Sequence, residues 1–257
     1  MLLKLLVVNP NSTTSMTDKL EAVVNASCPP GVSHLDVLYL TYVTESISLQ
    51  QVHYDFFTNT DGPPSINDEP TSHQSAETCM AALRRIDITC YRGFIVACYS
   101  AHPLVDILKL LTNKPVVGIF EVSITTCLHI LARSKKFGIV STGHIWERLL
   151  TEGVNHFLGV HSAHFAGVQT TGLTAVELHQ APQEEVRVRI RGAVKRLLEA
   201  NHNQLGAICL GCAAMADLDT IVRETCIEVL GEVEGSGIHI IDGVAAAAQL
   251  LPGLVRC

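Results

Sequence analysis

Two cysteines occupy matching positions in two similar stretches of this 257-residue chain. Cys98 follows an apolar run over residues 93–97, and Cys212 follows a similar run over residues 206–210, with small residues on both sides. A helix-like segment comes after each cysteine, over residues 103–111 and 218–230. Two thiols in duplicated surroundings could act as a pair of proton-transfer groups on opposite sides of one substrate.

A strand end is a favourable place for a reactive thiol. The carboxyl ends of parallel strands border the crevice where open α/β sheets bind ligands. A thiol there faces the positive end of the following helix, which lowers its pKa and makes thiolate available. We therefore expect the sulfurs of Cys98 and Cys212 to face each other across a cleft, roughly 7–9 Å apart. Cys209 matches Ile95 inside the other strand, so it is predicted to be buried and inert.

Strand-like and helix-like segments alternate along the chain. Apolar runs of strand length occur at residues 2–8, 32–40, 93–97, 116–120, 137–140, 164–169, 207–210 and 238–241. Helical patterns lie between them at residues 12–26, 75–86, 122–132, 145–157 and 182–200. This alternation predicts an α/β protein with parallel sheets covered by helices on both faces.

An internal repeat divides the chain into two halves. Residues 4–10 match residues 136–142, and residues 115–121 match residues 237–242. The first half carries about 18 extra residues, which we expect between its second strand and its cysteine strand. They are predicted to form a long loop over residues 42–72, bordering the active site.

Polar residues at the end of the first strand form a candidate binding motif. Asn11 and its neighbours Ser12 and Thr13 lie between this strand and the first helix. Side-chain oxygens and free backbone N–H groups at such a junction suit an oxyanion or carbonyl ligand. A plain helix cap by Asn11 or Ser12 is an equally good interpretation, and both can hold together. The counterpart of this motif in the second half is Ser141, Thr142 and Gly143.

Two residues of the long loop are further candidates for substrate binding. Ser65 and Ile66 lie at its most turn-rich point, residues 62–66, and are predicted to contact the substrate. The same residues could also form a turn with no other role.

Other residues have chemistry to offer but plainer alternatives. His102, four residues after Cys98, could assist acid–base chemistry or simply cap or pack a helix. Glu121 and Asp242 match each other at strand ends and could orient groups near the site or cap helices. The spacing of Cys209 and Cys212 would suit zinc or a disulfide, but no second pair lies at ligand spacing, so no metal is predicted.

Composition excludes several classes of protein. The chain is 47% hydrophobic and 17% charged, with a net charge of −7 and no cluster of Lys and Arg, which argues against a nucleic-acid partner. No stretch approaches the ~20 apolar residues of a membrane span, and none resembles a signal peptide. Nine scattered cysteines then indicate reduced thiols in a cytoplasmic protein.

Five motifs together resemble the hydantoin/allantoin racemases, a family of the cofactor-independent aspartate/glutamate racemase superfamily. They are Asn-Pro-Asn-Ser-Thr at residue 9, Gly-Pro-Pro-Ser-Ile at residue 62, Ala-Cys-Tyr-Ser at residue 97, Gly-Ile-Phe-Glu at residue 118 and Leu-Gly-Cys-Ala-Ala-Met-Ala-Asp-Leu at residue 210. The resemblance covers essentially the whole chain. The long loop and the Cys-Tyr-Ser-Ala-His-Pro sequence are similar to the fungal branch of the family.

The resemblance implies two pseudo-symmetric, flavodoxin-like lobes with the active site in the cleft between them. The last strand and helix would return to the first lobe, so that residues 1–114 and 236–257 form lobe 1 and residues 115–235 form lobe 2. One lobe supplies Cys98 and the other Cys212. We expect a small-molecule substrate, a homo-oligomeric assembly, and no nucleic-acid or membrane partner.

The resemblance also implies a mechanism. One cysteine, as thiolate, would remove a proton from the stereocentre of a hydantoin-like substrate such as allantoin or a 5-substituted hydantoin. The other, as thiol, would deliver a proton to the opposite face. Backbone N–H groups of Tyr99, Ser100, Ala213 and Ala214 would stabilise the oxyanion, and no cofactor would be needed.

Alternative functions remain at this point. A lyase or isomerase of the same superfamily could act on a malonate-like or maleate-like diacid, although decarboxylation needs only one protonating cysteine. A ligand-binding regulator could keep the fold without turnover. Racemisation of free aspartate or glutamate is disfavoured, because those enzymes more typically have Asn-Thr after the first cysteine and Thr after the second, where this chain has Tyr99 and Ala213.

Overall fold

The computed structural model describes residues 2–28, 51–201, 204–215 and 218–257, without the side chain of His179. The strands of this part are β1 (Leu3–Asn9), β2 (Val52–Thr58), β3 (Gly93–Val96), β4 (Val116–Gly118), β5 (Lys136–Ser141), β6 (Phe165–Thr170), β7 (Leu205–Leu210) and β8 (His239–Ile241). Its α-helices are α1 (Thr14–Ser27), α2 (Glu69–Leu83), α3 (Pro103–Leu111), α4 (Ile119–Ile130), α5 (Ile145–Leu158), α6 (Glu177–Gln180), α7 (Gln183–Asn201), α8 (Asp219–Leu230), α9 (Glu232–Ser236) and α10 (Gly243–Arg256). Short 3₁₀ helices span Ile88–Cys90 and Ala213–Met215.

The strands form two parallel sheets with the same topology. The first has the order β2-β1-β3-β4 and the second the order β6-β5-β7-β8. Both match the order of a flavodoxin-like sheet, with the crossover between the first and third strands. The predicted α/β class with two similar halves is therefore confirmed, and β1, β3 and β7 lie where their apolar sequences indicate.

The position of the extra residues in the first half is a correction to the sequence analysis. The second strand of the first sheet is β2 (Val52–Thr58), inside the segment that was expected to be a loop. The starts of β1 and β2 are 49 residues apart, against 29 for β5 and β6, whereas β2-to-β3 and β6-to-β7 spacings agree within one residue. The excess thus precedes the second strand. The strand expected at residues 32–40 lies outside the described residues.

The helix after β2 also begins earlier than expected. Its predicted start was residue 75, but α2 begins at Glu69. Asp68 Oδ1 accepts a hydrogen bond from the Thr71 N–H at 2.9 Å, and Thr71 Oγ1 accepts one from the Asp68 N–H at 3.1 Å. This reciprocal cap and Pro70 in the first turn favour helix formation through a polar segment.

The two halves exchange their last helices. α10 follows β8 of the second sheet but packs against α1, β3 and β4 of the first, while α4 follows β4 of the first sheet and packs against β7 and β8. Two glycines at equivalent strand starts permit these contacts. A Cβ on Gly93 would lie 2.9 Å from Val255 of α10, and one on Gly206 would lie 2.7 Å from Leu131 at the end of α4.

This exchange corrects part of the expected crossover. The last helix returns to the first half as expected, but the last strand does not, because β8 pairs with β7 in the second sheet. β4, expected after the boundary at residue 115, pairs with β3 in the first sheet. The division into residues 1–114 plus 236–257 and residues 115–235 remains a prediction of domain boundaries.

The central core joins both sheets. One continuous cluster of buried side chains includes Ile95 of β3, Ile139 of β5, Phe120 of α4 and Leu251 of α10. Because the exchanged helices contribute to it, neither half can bury its apolar face without the other.

Candidate active site

The two predicted cysteines lie at equivalent sites in the two sheets. Cys98 comes two residues after β3, and Cys212 two residues after β7, and both strands are inner strands of their sheets. Each side chain is half-buried. Both thiols therefore stand at the carboxyl edge of a parallel sheet, where ligands bind in this class of fold.

The two cysteines are within electrostatic range of one another. The pKa of Cys98 is raised to about 12, chiefly by burial and in part by negative charge on Cys212 and Glu121, whereas Ser100 Oγ, 3.4 Å from the sulfur, opposes this shift. Burial raises the pKa of Cys212 to about 11, and the Ala214 N–H lowers it by donating to the sulfur. Both thiols are thus protonated at neutral pH, and each has one local group that favours its thiolate.

Two of the four expected oxyanion donors are engaged within their own loops. The Ser100 N–H donates to the carbonyl of Cys98 at 3.1 Å. The Ala214 N–H donates to the sulfur of Cys212. The amides of Tyr99 and Ala213 keep their predicted role as candidates for binding an oxyanion.

The side chain of Tyr99 belongs to the core. Its ring packs edge-on against Phe120, with centroids 5.5 Å apart, and its hydroxyl lies 2.7 Å from Ser123 Oγ of α4. Only the backbone of Tyr99 therefore remains a candidate to bind substrate.

The junction after β1 is built by side chain–backbone hydrogen bonds. Asn11 Oδ1 accepts from the Thr13 N–H at 2.9 Å and so forms a turn just before α1. The N-cap residue is Thr13, so the expected helix cap by Asn11 or Ser12 is wrong. Asn9 holds this turn from inside the strand, because its amide donates to the Thr13 carbonyl at 3.2 Å and its Oδ1 accepts from the Asn11 N–H at 3.2 Å. A role of Asn11 in binding substrate stays a prediction.

The loop that carries Ser65 and Ile66 packs against the same junction. The Ser12 N–H donates to the Pro63 carbonyl at 3.0 Å, and Thr13 Oγ1 donates to the Pro64 carbonyl at 2.7 Å. These bonds hold the loop at the carboxyl edge of β1, next to the strand that ends at Cys98. Both Ser65 and Ile66 are buried, at 5% and 9% exposure, so their contact with substrate remains a prediction.

The counterpart junction after β5 supports the second cysteine. Ser141 Oγ donates to the carbonyl of Gly211, immediately before Cys212, at 2.7 Å. Thr142 is buried, and its carbonyl accepts from the Gly172 N–H at 3.0 Å. Gly211 leaves no room for a side chain, since a Cβ would lie 2.7 Å from the Val140 carbonyl. Ser141 and Thr142 were both expected from the sequence to form the counterpart of the motif after β1, but the bond from Ser141 to the Cys212 loop was not predicted.

His102 has a capping and packing role. Its Nδ1 accepts from the Leu104 N–H at 3.2 Å, and the Nε2–H therefore donates to Ser75 Oγ at 2.7 Å. Burial lowers the pKa of His102 to about 4, so the ring is neutral at physiological pH. Both nitrogens are occupied, which favours the plainer of its two interpretations.

The matched carboxylates differ in role. Asp242 Oδ1 caps α10 by accepting from the N–H groups of Val244 and Ala245 at 2.7 and 3.2 Å. Glu121 lies in the first turn of α4, and its buried Oε2 has no hydrogen-bond partner among the described residues. Burial raises the pKa of Glu121 to about 7.

Cys209 lies inside its strand and is not one of the two candidate catalytic cysteines. Cys209 is fully buried, as predicted, and its sulfur lies 3.4 Å from that of Cys127. In the part of the chain that the structure describes, no group of three or more His, Cys, Asp or Glu side chains could hold a metal ion. Within the same part, no helix is long and apolar enough to cross a membrane. Asp217 of the second cysteine motif lies outside the described residues.

The sequence is similar to a known protein family and to individual members of it. The profile of the Asp/Glu/hydantoin racemase family matches residues 5–251. An uncharacterised protein of Schizosaccharomyces pombe is 34% identical over 261 residues, covering 99% of this chain and 93% of the relative. A hydantoin racemase from a Pseudomonas species, strain NS671, is 24% identical over 98% of this chain and 86% of its own length.

A solved structure has the same fold. The allantoin racemase from Pseudomonas fluorescens is 23% identical, covers 99% of this chain and 91% of its own, and superposes with a TM-score of 0.76. The family match over nearly all of the sequence and the 34% identical relative assign the chain to the Asp/Glu/hydantoin racemase family, and the chain is therefore an isomerase.

Proposed function

We propose that this racemase acts on a hydantoin-like compound, such as allantoin or a 5-substituted hydantoin, by a two-cysteine mechanism without a cofactor. The observation that carries the proposal is the placement of Cys98 and Cys212. They end equivalent strands of two sheets with identical order, and the charge of one thiol raises the pKa of the other. Two similar thiols in such an arrangement suit a reaction that runs in both directions.

In the proposed reaction, one thiolate removes the proton from the stereocentre beside the ring carbonyl. The electron pair delocalises into that carbonyl, and the resulting oxyanion accepts hydrogen bonds from the Tyr99 and Ala213 amides. The second cysteine then gives its thiol proton to the opposite face of the carbon, which inverts the centre and leaves that sulfur as thiolate. The reverse reaction exchanges the two roles.

The resting protonation state sets a requirement on this mechanism. With pKa values raised to about 12 and 11, both thiols carry protons at neutral pH, whereas the reaction needs one thiolate. Ser100 Oγ beside Cys98 and the Ala214 N–H beside Cys212 are the groups that lower the cost of forming it. The reaction rate should therefore rise with pH from neutrality until the first thiol is fully ionised.

Three further expectations from the sequence are part of this proposal. They are a cytoplasmic location, a place in nitrogen metabolism and a homo-oligomeric assembly.

The test is the loss of optical rotation by single enantiomers. Purified protein is incubated with (S)-allantoin and, separately, with enantiomers of 5-substituted hydantoins. The proposal expects rotation to decay to zero faster than in buffer, with no change in the mass of the compound. Conversion of a malonate-like or maleate-like diacid, with no effect on either hydantoin class, would instead support the superfamily lyase or isomerase function.

A further inference from the structure

A buried cluster of hydroxyl and thiol groups connects the two cysteine loops. Tyr99, Ser123, Cys127 and Cys209 form this hydroxyl–thiol cluster, and each is at most 5% exposed. Ser123 Oγ donates its hydrogen to the Phe120 carbonyl at 2.8 Å, so it accepts from the Tyr99 hydroxyl at 2.7 Å. The sulfur of Cys209 lies 3.4 Å from the sulfur of Cys127, and Cys127, Tyr99 and Ser123 together lower the pKa of the Cys209 thiol.

Each member of the cluster lies on an element that carries or supports the site. Tyr99 follows Cys98 directly, and Cys209 lies in β7, three residues before Cys212. Ser123 and Cys127 are one helical turn apart on α4, the helix that passes from the first half to the second. One face of α4 therefore contacts the ends of both cysteine strands.

Hydroxyl groups are less common than apolar side chains at positions as buried as these. Phe at position 99, Ala at 123 and Val at 209 would fill similar space without needing partners, and such replacements of buried polar groups are often neutral or stabilising. Apolar contacts tolerate small displacements, whereas a satisfied hydrogen-bond network specifies one arrangement of its members. The cluster therefore fixes the relative positions of its members more than it increases the free energy of unfolding.

Two members of the cluster have apolar residues at the equivalent positions of the repeat. The position after Cys212 that corresponds to Tyr99 is Ala213, and the position that corresponds to Cys209 is Ile95. Among the described residues of the two loops, Tyr99 after Cys98 donates a side-chain hydrogen bond to α4, whereas Ala213 after Cys212 has no side-chain group that could do so.

We infer that Tyr99 is a positioning residue, whose hydroxyl, held by Ser123 of α4, fixes the Cys98 thiol in line with Cys212. This inference rests on the proposed function, in which each thiol serves one face of the substrate. A displaced Cys98 then impairs proton transfer on its own face and leaves proton transfer by Cys212 intact.

The test removes the hydroxyl and keeps the ring. In Tyr99→Phe we expect kcat for racemisation to fall by about 10- to 100-fold, because small misplacements of reacting groups have effects of this size. In D₂O, deuterium exchange should slow for the enantiomer whose proton Cys98 removes and persist for the other. Ser123→Ala should act in the same direction, and the double variant should be no slower than Tyr99→Phe alone.

Tyr54→Phe is the matched control. Its hydroxyl donates to the carbonyl of Ala248 in α10, remote from the hydroxyl–thiol cluster, so its loss should leave the ratio of the two exchange rates unchanged. An unchanged ratio in Tyr99→Phe, with or without a loss of stability, would overturn the inference and assign Tyr99 a purely structural role.

A second measurement separates this inference from the proposed function. Alkylation by iodoacetamide under reducing conditions is followed by mass spectrometry of the Cys98 and Cys212 peptides. Tyr99→Phe should change the rate at Cys98 and leave the rate at Cys212 unaltered. If the unmodified protein racemises no hydantoin, the proposed function fails, but the alkylation rates still decide whether Tyr99 positions Cys98, and equal rates in both proteins would overturn it.

Discussion

At the scale of single residues, the proposed chemistry depends on two thiols with different neighbours. The Cys98 sulfur lies beside the Ser100 hydroxyl, and the next residue, Tyr99, is hydrogen-bonded to α4. The Cys212 sulfur instead accepts a hydrogen bond from a backbone N–H of the 3₁₀ turn that follows it. The proposed reaction needs both, since each serves one face of the stereocentre.

Replacement of either thiol should therefore separate proton exchange from inversion. A serine hydroxyl ionises far less readily than a thiol, so Cys98→Ser and Cys212→Ser should each lower racemisation by about 100- to 10,000-fold. Each variant should still exchange the proton of one enantiomer with D₂O, as followed by NMR. Cys90→Ser, at an exposed cysteine, is the control and should retain full activity. Normal racemisation by either active-site variant would contradict the two-base assignment.

Glu121 should make stability depend on pH. Its ordinary pKa of 4.5 applies in the unfolded chain, and burial raises the pKa to about 7 in the folded protein. Between these values the unfolded chain releases a proton that the folded protein keeps, so the free energy of unfolding falls as pH rises, by up to about 3 kcal/mol. Above the folded pKa this contribution no longer changes.

Urea titrations at pH 5 and pH 8 test this. Glu121→Gln cannot ionise, so its stability relative to the parent protein should increase between the two pH values. Lys109 and Asp106 of α3 are the other charges that influence Glu121 and are unchanged in the comparison. Glu184→Gln, on the exposed face of α7, controls for the loss of a carboxylate. Parallel pH profiles for the parent and Glu121→Gln would show that Glu121 is not a buried acid.

At the scale of elements, the loop at residues 59–66 should influence which substrate is preferred. Its hydrogen bonds to Ser12 and Thr13 hold Ser65 and Ile66 at the same sheet edge as Cys98. Ser65→Ala and Ile66→Val, which keep the buried volume nearly constant, should alter the ranking of allantoin against alkyl-hydantoins in kcat/KM. Equal losses for all substrates would indicate that the loop only supports the fold.

The exchanged helix α10 should be sensitive to the strand beneath it. In Gly93→Val, the new side chain would collide with Leu251 and Val255, because even a Cβ comes within 3.0 and 2.9 Å of them. We expect a loss of about 1–3 kcal/mol in the free energy of unfolding, measured by urea titration. Gly253→Ala is the control in the same helix, since a Cβ there meets nothing within 4 Å. It should be neutral or stabilising by up to about 1 kcal/mol. A Gly93 variant as stable as the parent would contradict this packing.

At the scale of the whole molecule, a ligand bound between the sheets should stabilise both halves together. In the double variant Cys98→Ser/Cys212→Ser, (S)-allantoin at a hundred times its Kd should raise the free energy of unfolding by about 2.7 kcal/mol. Hydrogen exchange should then slow in the loops after β3 and after β7. Protection of only one of these loops would place the ligand in one half and argue against a shared cleft.

Local sequence was sufficient for those features that depend on neighbouring residues. The cysteine strands are continuous apolar runs followed by small residues, so their type, their end points and the burial of Cys209 follow from the pattern alone. The repeat likewise predicted two similar halves, because residues 4–10, the first cysteine strand and residues 115–121 each have a counterpart in the same order in the second half.

Other features depended on contacts between distant residues. β2 was missed because it is an edge strand, whose half-buried aromatic and charged residues lack an apolar run, and whose Asp55 pairs with Lys4 at 3.1 Å. The packing of α4 and α10 on the sheet of the other half could not be predicted either. The sequence of a helix shows that it has an apolar face but not which sheet covers that face. The side chain of Tyr99 is the clearest case. The sequence shows that Tyr99 follows Cys98. The direction of its side chain towards α4 depends on contacts with Ser123 and Cys209, which lie 24 and 110 residues further along the chain.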